Sequence, residues 1–126
     1  MARVTGIGGI FFKAQDPKAL AQWYHDNLDL DVQPWGGVAF RWGTPENPSG
    51  STAWSLASAD TSQFEPSTAP FMVNYRVDDL ATLLQSLQSS GCNVLGGPDE
   101  SEFGKFGWVL DPEGNKVELW EPPAGK

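Results

Sequence analysis

The sequence predicts an α+β fold built from two βαβββ modules. Three observations carry that prediction. A strand, a helix and three strands follow one another twice along the chain. The two helices begin at Asp16 and Asp79, 63 positions apart (79 − 16), and each has an apolar face at helical spacing. The chain has 126 residues, enough for one compact domain holding both modules.

The elements follow in order. Residues 5 to 14, TGIGGIFFKA, are rich in Ile and Phe and read as a strand. In DPKALAQWYHDNL, Asp16 is an N-cap and Pro17 takes the first helical position. Leu20, Trp23, Tyr24 and Leu28 recur there with helical period. LDLDVQPW and GVAFRW read as two strands around a Gly36-Gly37 turn. TPENPSG is a loop, and STAWSLAS is the module's last strand. The polar, proline-containing stretch 59 to 70 reads as a linker between module 1 (about 5–58) and module 2 (about 71–122). FMVNYRV is a strand. DDLATLLQSLQSSG is a helix with Leu80, Leu83, Leu84 and Leu87 on one face and Gly91 as its stop. CNVLGG is a short strand, and EFGKFGW begins as an irregular, glycine-flanked segment. KFGWVLDPEGNKVELWE then forms a hairpin, its turn preset by Pro112 and released by Gly114.

Composition bounds the function. Eight Lys and Arg against sixteen Asp and Glu give a net charge of −8. Such a surface repels nucleic acid and anionic membranes, and leaves a neutral or cationic small molecule unopposed. The single cysteine, Cys92, excludes an internal disulfide and fits a reducing, cytoplasmic setting. No apolar run reaches the roughly 20 residues of a membrane span, and the first residues lack a signal-peptide pattern. No nucleophile elbow, phosphate loop or dinucleotide fingerprint occurs.

The phrases DPKALAQWYHDNL, YRVDDLATLLQSL and DPEGNKVELWE, in that order over nearly the whole chain, resemble the vicinal oxygen chelate superfamily. That superfamily includes glyoxalase I, bleomycin resistance proteins and extradiol dioxygenases. The resemblance implies a curved open barrel in which the two modules form a cup around the ligand. It also implies a homodimer. In metal-dependent branches the resemblance implies four ligand positions, here Gly9, Ser55, Met72 and Glu118. Glycine offers no donor and a thioether is a poor ligand for Zn, Ni, Mn or Fe(II) in such a site. The lone His25 belongs to the first helix, at the surface. The expectation is therefore no metal and no cofactor.

Strand parity extends the site. Alternate side chains share a face, so Phe11, Lys13, Asn74, Arg76, Lys116 and Trp120 accompany Gly9, Ser55, Met72 and Glu118. Ile10, Phe12, Trp54, Leu56, Val73, Tyr75, Val77, Val117 and Leu119 face the other way and suit packing against helices. Phe11, Lys13, Ser55, Met72, Asn74, Arg76, Glu118 and Trp120 are the candidate ligand-binding residues. Trp23 and Trp54 are assigned to the core, and Trp35 and Trp42 to the rim. A carboxylate in a half-buried cup needs a partner, which Lys13, Arg76 or Lys116 can supply. Glu118 is thus a ligand contact, a general base or one half of a structural ion pair. The expected function is metal-independent binding that sequesters or senses a neutral or cationic organic ligand. The alternatives are a glyoxalase-like lyase or isomerase, or a dioxygenase, with Glu118 as surviving metal ligand or base, and a dimeric interaction module without a small ligand.

Overall fold

The computed structural model describes residues 2–126. Its elements are β1 (Val4–Ala14), α1 (Pro17–Leu28), β2 (Gly37–Arg41), β3 (Ser51–Ser58), β4 (Phe71–Val77), α2 (Leu80–Ser89), β5 (Asn93–Ser101), β6 (Gly104–Leu110) and β7 (Lys116–Glu121). The strands form one open seven-stranded sheet in the order β2-β3-β1-β4-β7-β6-β5.

The internal repeat reaches the level of register. β1 lies parallel to β3 with Phe11 opposite Ser55, and β4 lies parallel to β7 with Asn74 opposite Glu118. Adding 63 to the first pair gives the second (11 + 63 = 74; 55 + 63 = 118). The halves meet through the antiparallel ladder of β1 and β4, where Phe11 opposes Met72 and Gly9 opposes Asn74. Two steps along β1, from Ile7 to Gly9, match a single step of β4, from Tyr75 to Asn74, so Gly8 sits in a bulge.

Local signals account for the helices. The Asp16 carboxylate accepts the Ala19 N–H at 3.1 Å. Asp79 accepts both the N–H and the hydroxyl of Thr82, at 3.2 and 2.8 Å. Asp29, at φ 56°, ends α1 in the left-handed region. Leu80 and Leu84 of α2 are buried against Val77, Val109 and Leu119, with Leu83 and Leu87 packed beside them. Each such side chain removed from water contributes about 1.5–3 kcal/mol. α1 is a looser fit: none of its residues is buried, and its main aromatic contact is Tyr24 edge-on to Trp54 at 4.9 Å. Trp23, expected in the core, is 52% exposed; it stands edge-on to Tyr24 at 5.2 Å, and it is Tyr24 that packs on Trp54 of the sheet.

Three further expectations change. Residues 30 to 35 form no strand. Gln33 N–H bonds Gly37 O at 2.8 Å, but Gly36, at φ 98°, folds back to Gln33 O at 2.9 Å. Pro34 has no N–H to extend a ladder. The first module therefore has one strand fewer than the second. Lys105 and Phe106 belong to β6, paired on both sides with β5 and β7, rather than to an irregular segment. The stretch 59 to 70 is more than a spacer: Phe64, within it, is 1% exposed.

The sheet curls. β2 and β4 are three strand spacings apart, about 14 Å in a flat sheet. Yet the Trp42 ring, just beyond β2, lies 5.8 Å from the Arg76 guanidinium on β4. Both helices pack on the outer side, against the apolar parity set. The inner face carries the other set.

Candidate site on the inner face

Glu118 stands at the middle of β7, flanked by β4 and β6. Its Oε1 accepts from Asn74 Nδ2 at 2.7 Å, and its Oε2 accepts from the Trp108 indole N–H at 2.9 Å. The carboxylate is thus held by neutral donors from the neighbouring strands. None of Lys13, Arg76 and Lys116, the cations expected to pair with it, lies within ion-pair distance. An ionised carboxylate has about four acceptor positions, so two remain for a further donor. A cavity of about 260 Å³ opens beside it, lined by Gln63, Met72, Trp108, Lys116 and Glu118.

The segment between β3 and β4 roofs this cavity. Lys116 Nζ donates to Gln63 O at 2.7 Å and lies 5.7 Å from the centre of the Trp108 ring. Next to Gln63, the buried Phe64 ring meets the Lys13 ammonium at 5.6 Å.

The four positions implied for a metal do not suit one. A Cβ on Gly9 would lie 2.7 Å from Phe11 Cζ, so the Phe11 ring fills the space a ligand side chain would need. Met72 offers only a buried thioether. Ser55 adds only a neutral hydroxyl, which leaves Glu118 as the one strong donor of the four. Among the described residues, no group of three or more His, Cys, Asp and Glu converges.

The remaining candidates divide. Asn74 belongs to the Glu118 cluster, and Met72 lines its cavity. Phe11 and Ser55 lie on the same face without lining that cavity. Lys13 borders a shallow depression with Glu65 and Pro66. Arg76 and Trp120, two residues further along their strands, form a separate group: the Arg76 guanidinium lies 5.1 Å from the Trp120 ring, and Trp120 Nε1 donates to Phe103 O at 2.7 Å. The bulge turns Gly8 toward this group; a Cβ there would collide with Asn74 Oδ1 and lie 3.0 Å from Trp120 Cε3.

Trp108 and Gln63 were not among the expected site residues. The signal for Trp108 was present, since a turn centred on Asp111–Asn115 pairs residue 110 with 116 and therefore 108 with 118. Gln63 has none, lying in an aperiodic segment.

A family model described as a glyoxalase-like domain matches residues 9–120. Among solved structures, a methylmalonyl-CoA epimerase from Streptomyces coelicolor in complex with 2-nitronate-propionyl-CoA is similar, with a TM-score of 0.70 and 16% identity, over 97% of this chain and 100% of that one. Methylmalonyl-CoA epimerase from Mycobacterium tuberculosis gives a TM-score of 0.59 and 19% identity, over 95% and 89%. A glyoxalase/bleomycin resistance protein/dioxygenase superfamily member from Vibrio splendidus 12B01 gives 0.59 and 13%, over 96% and 99%. These identities bear on the fold alone. No curated protein matches the sequence significantly.

Proposed function

Since the chain belongs to the glyoxalase-like domain family, we propose that it binds a small organic ligand in the Glu118 cavity without a metal ion. The observation that carries this reading is the half-buried carboxylate with neutral donors at both oxygens, spare acceptor capacity and an open cavity beside it. The ligand class is a neutral or cationic molecule with an N–H donor and a flat apolar part. The donor meets Glu118. The flat part lies along Trp108, in place of the Lys116 ammonium, which only the Gln63 carbonyl oxygen holds. Sequestering or sensing is the role that follows, in the cytoplasm.

A homodimer belongs to the same reading. Trp23 and Leu28 of α1 are 52% and 58% exposed, large apolar side chains on an outer helix that contact with a second copy would cover. Sedimentation velocity on the wild type and on Trp23→Lys tests it; a monomer in the wild type removes this part.

Thermal melts with benzylamine test the binding reading, since a ligand above its Kd raises the midpoint. A rise is expected in the wild type and its loss in Glu118→Gln. No rise in the wild type with benzylamine, nor with an aromatic amide, overturns it. The enzymatic alternative, in which Glu118 removes a proton, has one supporting observation: Lys116 lines the same cavity and can face the resulting anion. Turnover abolished by Glu118→Gln would favour it.

A further inference from the structure

The 63-residue repeat sets the two helix-facing cores in correspondence. Leu80 and Leu84 of α2 match Pro17 and Ala21 of α1 (80 − 63 = 17; 84 − 63 = 21), and Leu119 of β7 matches Leu56 of β3 (119 − 63 = 56). The three leucines of the second module are 0%, 5% and 4% exposed and form the core beneath α2. In the first module a pyrrolidine ring and a methyl group stand where two of them would be, and no residue of α1 is buried. β5, which packs beside α2, has no counterpart there either. The result is a cavity of about 550 Å³ between α1 and residues 31 to 36, lined by Pro17, Ala21 and Leu56 among others. It lies on the outer side of the sheet, apart from the Glu118 cavity, and its size is that of a small-molecule site.

The mouth of this cavity carries two opposite charges. Lys18 stands on the α1 wall and Asp31 on the wall that follows the helix. Neither forms an ion pair among the described residues, and the two are not within 4.0 Å of each other. The other polar side chains at the mouth are engaged. Gln22 Nε2 donates to Asp26 Oδ1 at 2.8 Å, Gln33 Nε2 donates to the Asp31 carbonyl oxygen at 2.9 Å, and His25 Nδ1 lies 3.4 Å from Asp26 Oδ1. The Lys18 ammonium and the Asp31 carboxylate are left over.

We infer that this outer cavity binds a free amino acid with a bulky apolar side chain, leucine being the type. The ligand's side chain lies over Leu56, in the space that Leu80 and Leu84 fill in the second module. Its carboxylate goes to Lys18 and its ammonium to Asp31. A simple acid would satisfy Lys18 but face the charge of Asp31, and a simple amine would meet the reverse; a zwitterion answers both. Charge pairs at an open mouth contribute little, so burial of the apolar part supplies most of the affinity and the two charges select the head group. This site stands whether or not Glu118 binds a ligand.

The test uses the full chain, titration calorimetry and thermal melts. Leucine is expected to bind saturably and to raise the melting midpoint; glycine, which lacks the apolar part, is expected to do neither. Ala21→Leu places in the first module the side chain that the second has at Leu84. It should raise the midpoint of the free protein and weaken leucine at least tenfold. Lys18→Met and Asp31→Asn should each weaken leucine roughly two- to fivefold, the range of an exposed charge pair. If Ala21→Leu does not fold, Ala21→Val and the two charge variants decide. Silence of the wild type toward leucine up to about 10 mM, where even a millimolar site is mostly filled, overturns the inference. So does undiminished leucine binding in Ala21→Leu. Binding of 4-methylpentanoate or isopentylamine as tight as that of leucine overturns the assignment of the two charges. Loss of the leucine response in Glu118→Gln overturns the location, since it would put the amino acid in the inner cavity.

Discussion

The Trp108 indole N–H and Glu118 Oε2 meet at 2.9 Å across the β6–β7 hairpin, while Asn74 holds the other oxygen from β4. Hydrogen bonds to a charged group contribute roughly 1.5–3 kcal/mol each. Glu118→Gln removes the charge and sets one of its two amide-bearing positions against a donor. The expected loss is about 2 kcal/mol, read as a lower urea midpoint with an unchanged slope. Trp108→Phe should cost less alone, and little more once Gln is already present at 118.

Phe64→Ala deletes an aromatic side chain that is 1% exposed, in a segment with no regular structure to hold it otherwise. The expected cost is about 3–5 kcal/mol. Benzene or a similar small arene should restore part of the lost melting temperature by filling the space. A change under 1 kcal/mol would show that the segment is not docked in solution.

Leu84 and Gly107 test the packing under α2. A Cβ on Gly107 would lie 2.9 Å from Leu84 Cδ1. Gly107→Ala should therefore destabilise by overpacking, about 1–3 kcal/mol. Leu84→Ala should cost about 2–5 kcal/mol by leaving a cavity. The double variant should be more stable than the sum predicts, since the new methyl enters the space vacated. Strict additivity would mean that the two sites do not touch.

Acid should remove the contribution of Asp79. The Thr82 hydroxyl first, and the Thr82 N–H second, hold this carboxylate below its usual pKa in the folded state. The folded chain thus binds fewer protons than the unfolded one. The contribution is full above the unfolded value of about 3.9 and is lost as pH falls through the lower folded value. Asp111, held low by Asn115, follows the same rule. The stability difference between wild type and Asp79→Ala should shrink on acidification through this range; a constant difference contradicts the cap.

The order of elements was legible because local chemistry writes it: Asp16 and Asp79 as caps, Leu80 and Leu84 at helical spacing, and the Asp111–Asn115 turn. Parity sorted the two faces for the same reason, since alternation holds wherever a strand is paired on both sides. What failed needed knowledge of partners. Leu30 to Trp35 alternate like a strand but have no neighbour to pair with. Trp23 has helical spacing yet stays 52% exposed, while its neighbour Tyr24 makes the aromatic contact with Trp54. The burial of Phe64 and the ties of Glu118 to Asn74 and Trp108 depend on strands 44 and 10 residues distant in sequence. Charge complementarity suggested lysine or arginine as that carboxylate's partner, and the sheet supplied an amide and an indole instead.

The two halves touch chiefly along β1 and β4, whose paired residues are about sixty or more positions apart, such as Phe11 and Met72. During synthesis at some 5–20 residues per second, the first half emerges with one long edge of β1 bare for several seconds. Until the second half arrives, that edge is open to strands of any nascent neighbour. Polysome crowding should thus lower the yield of native protein, and slower translation of the second half should lower it further.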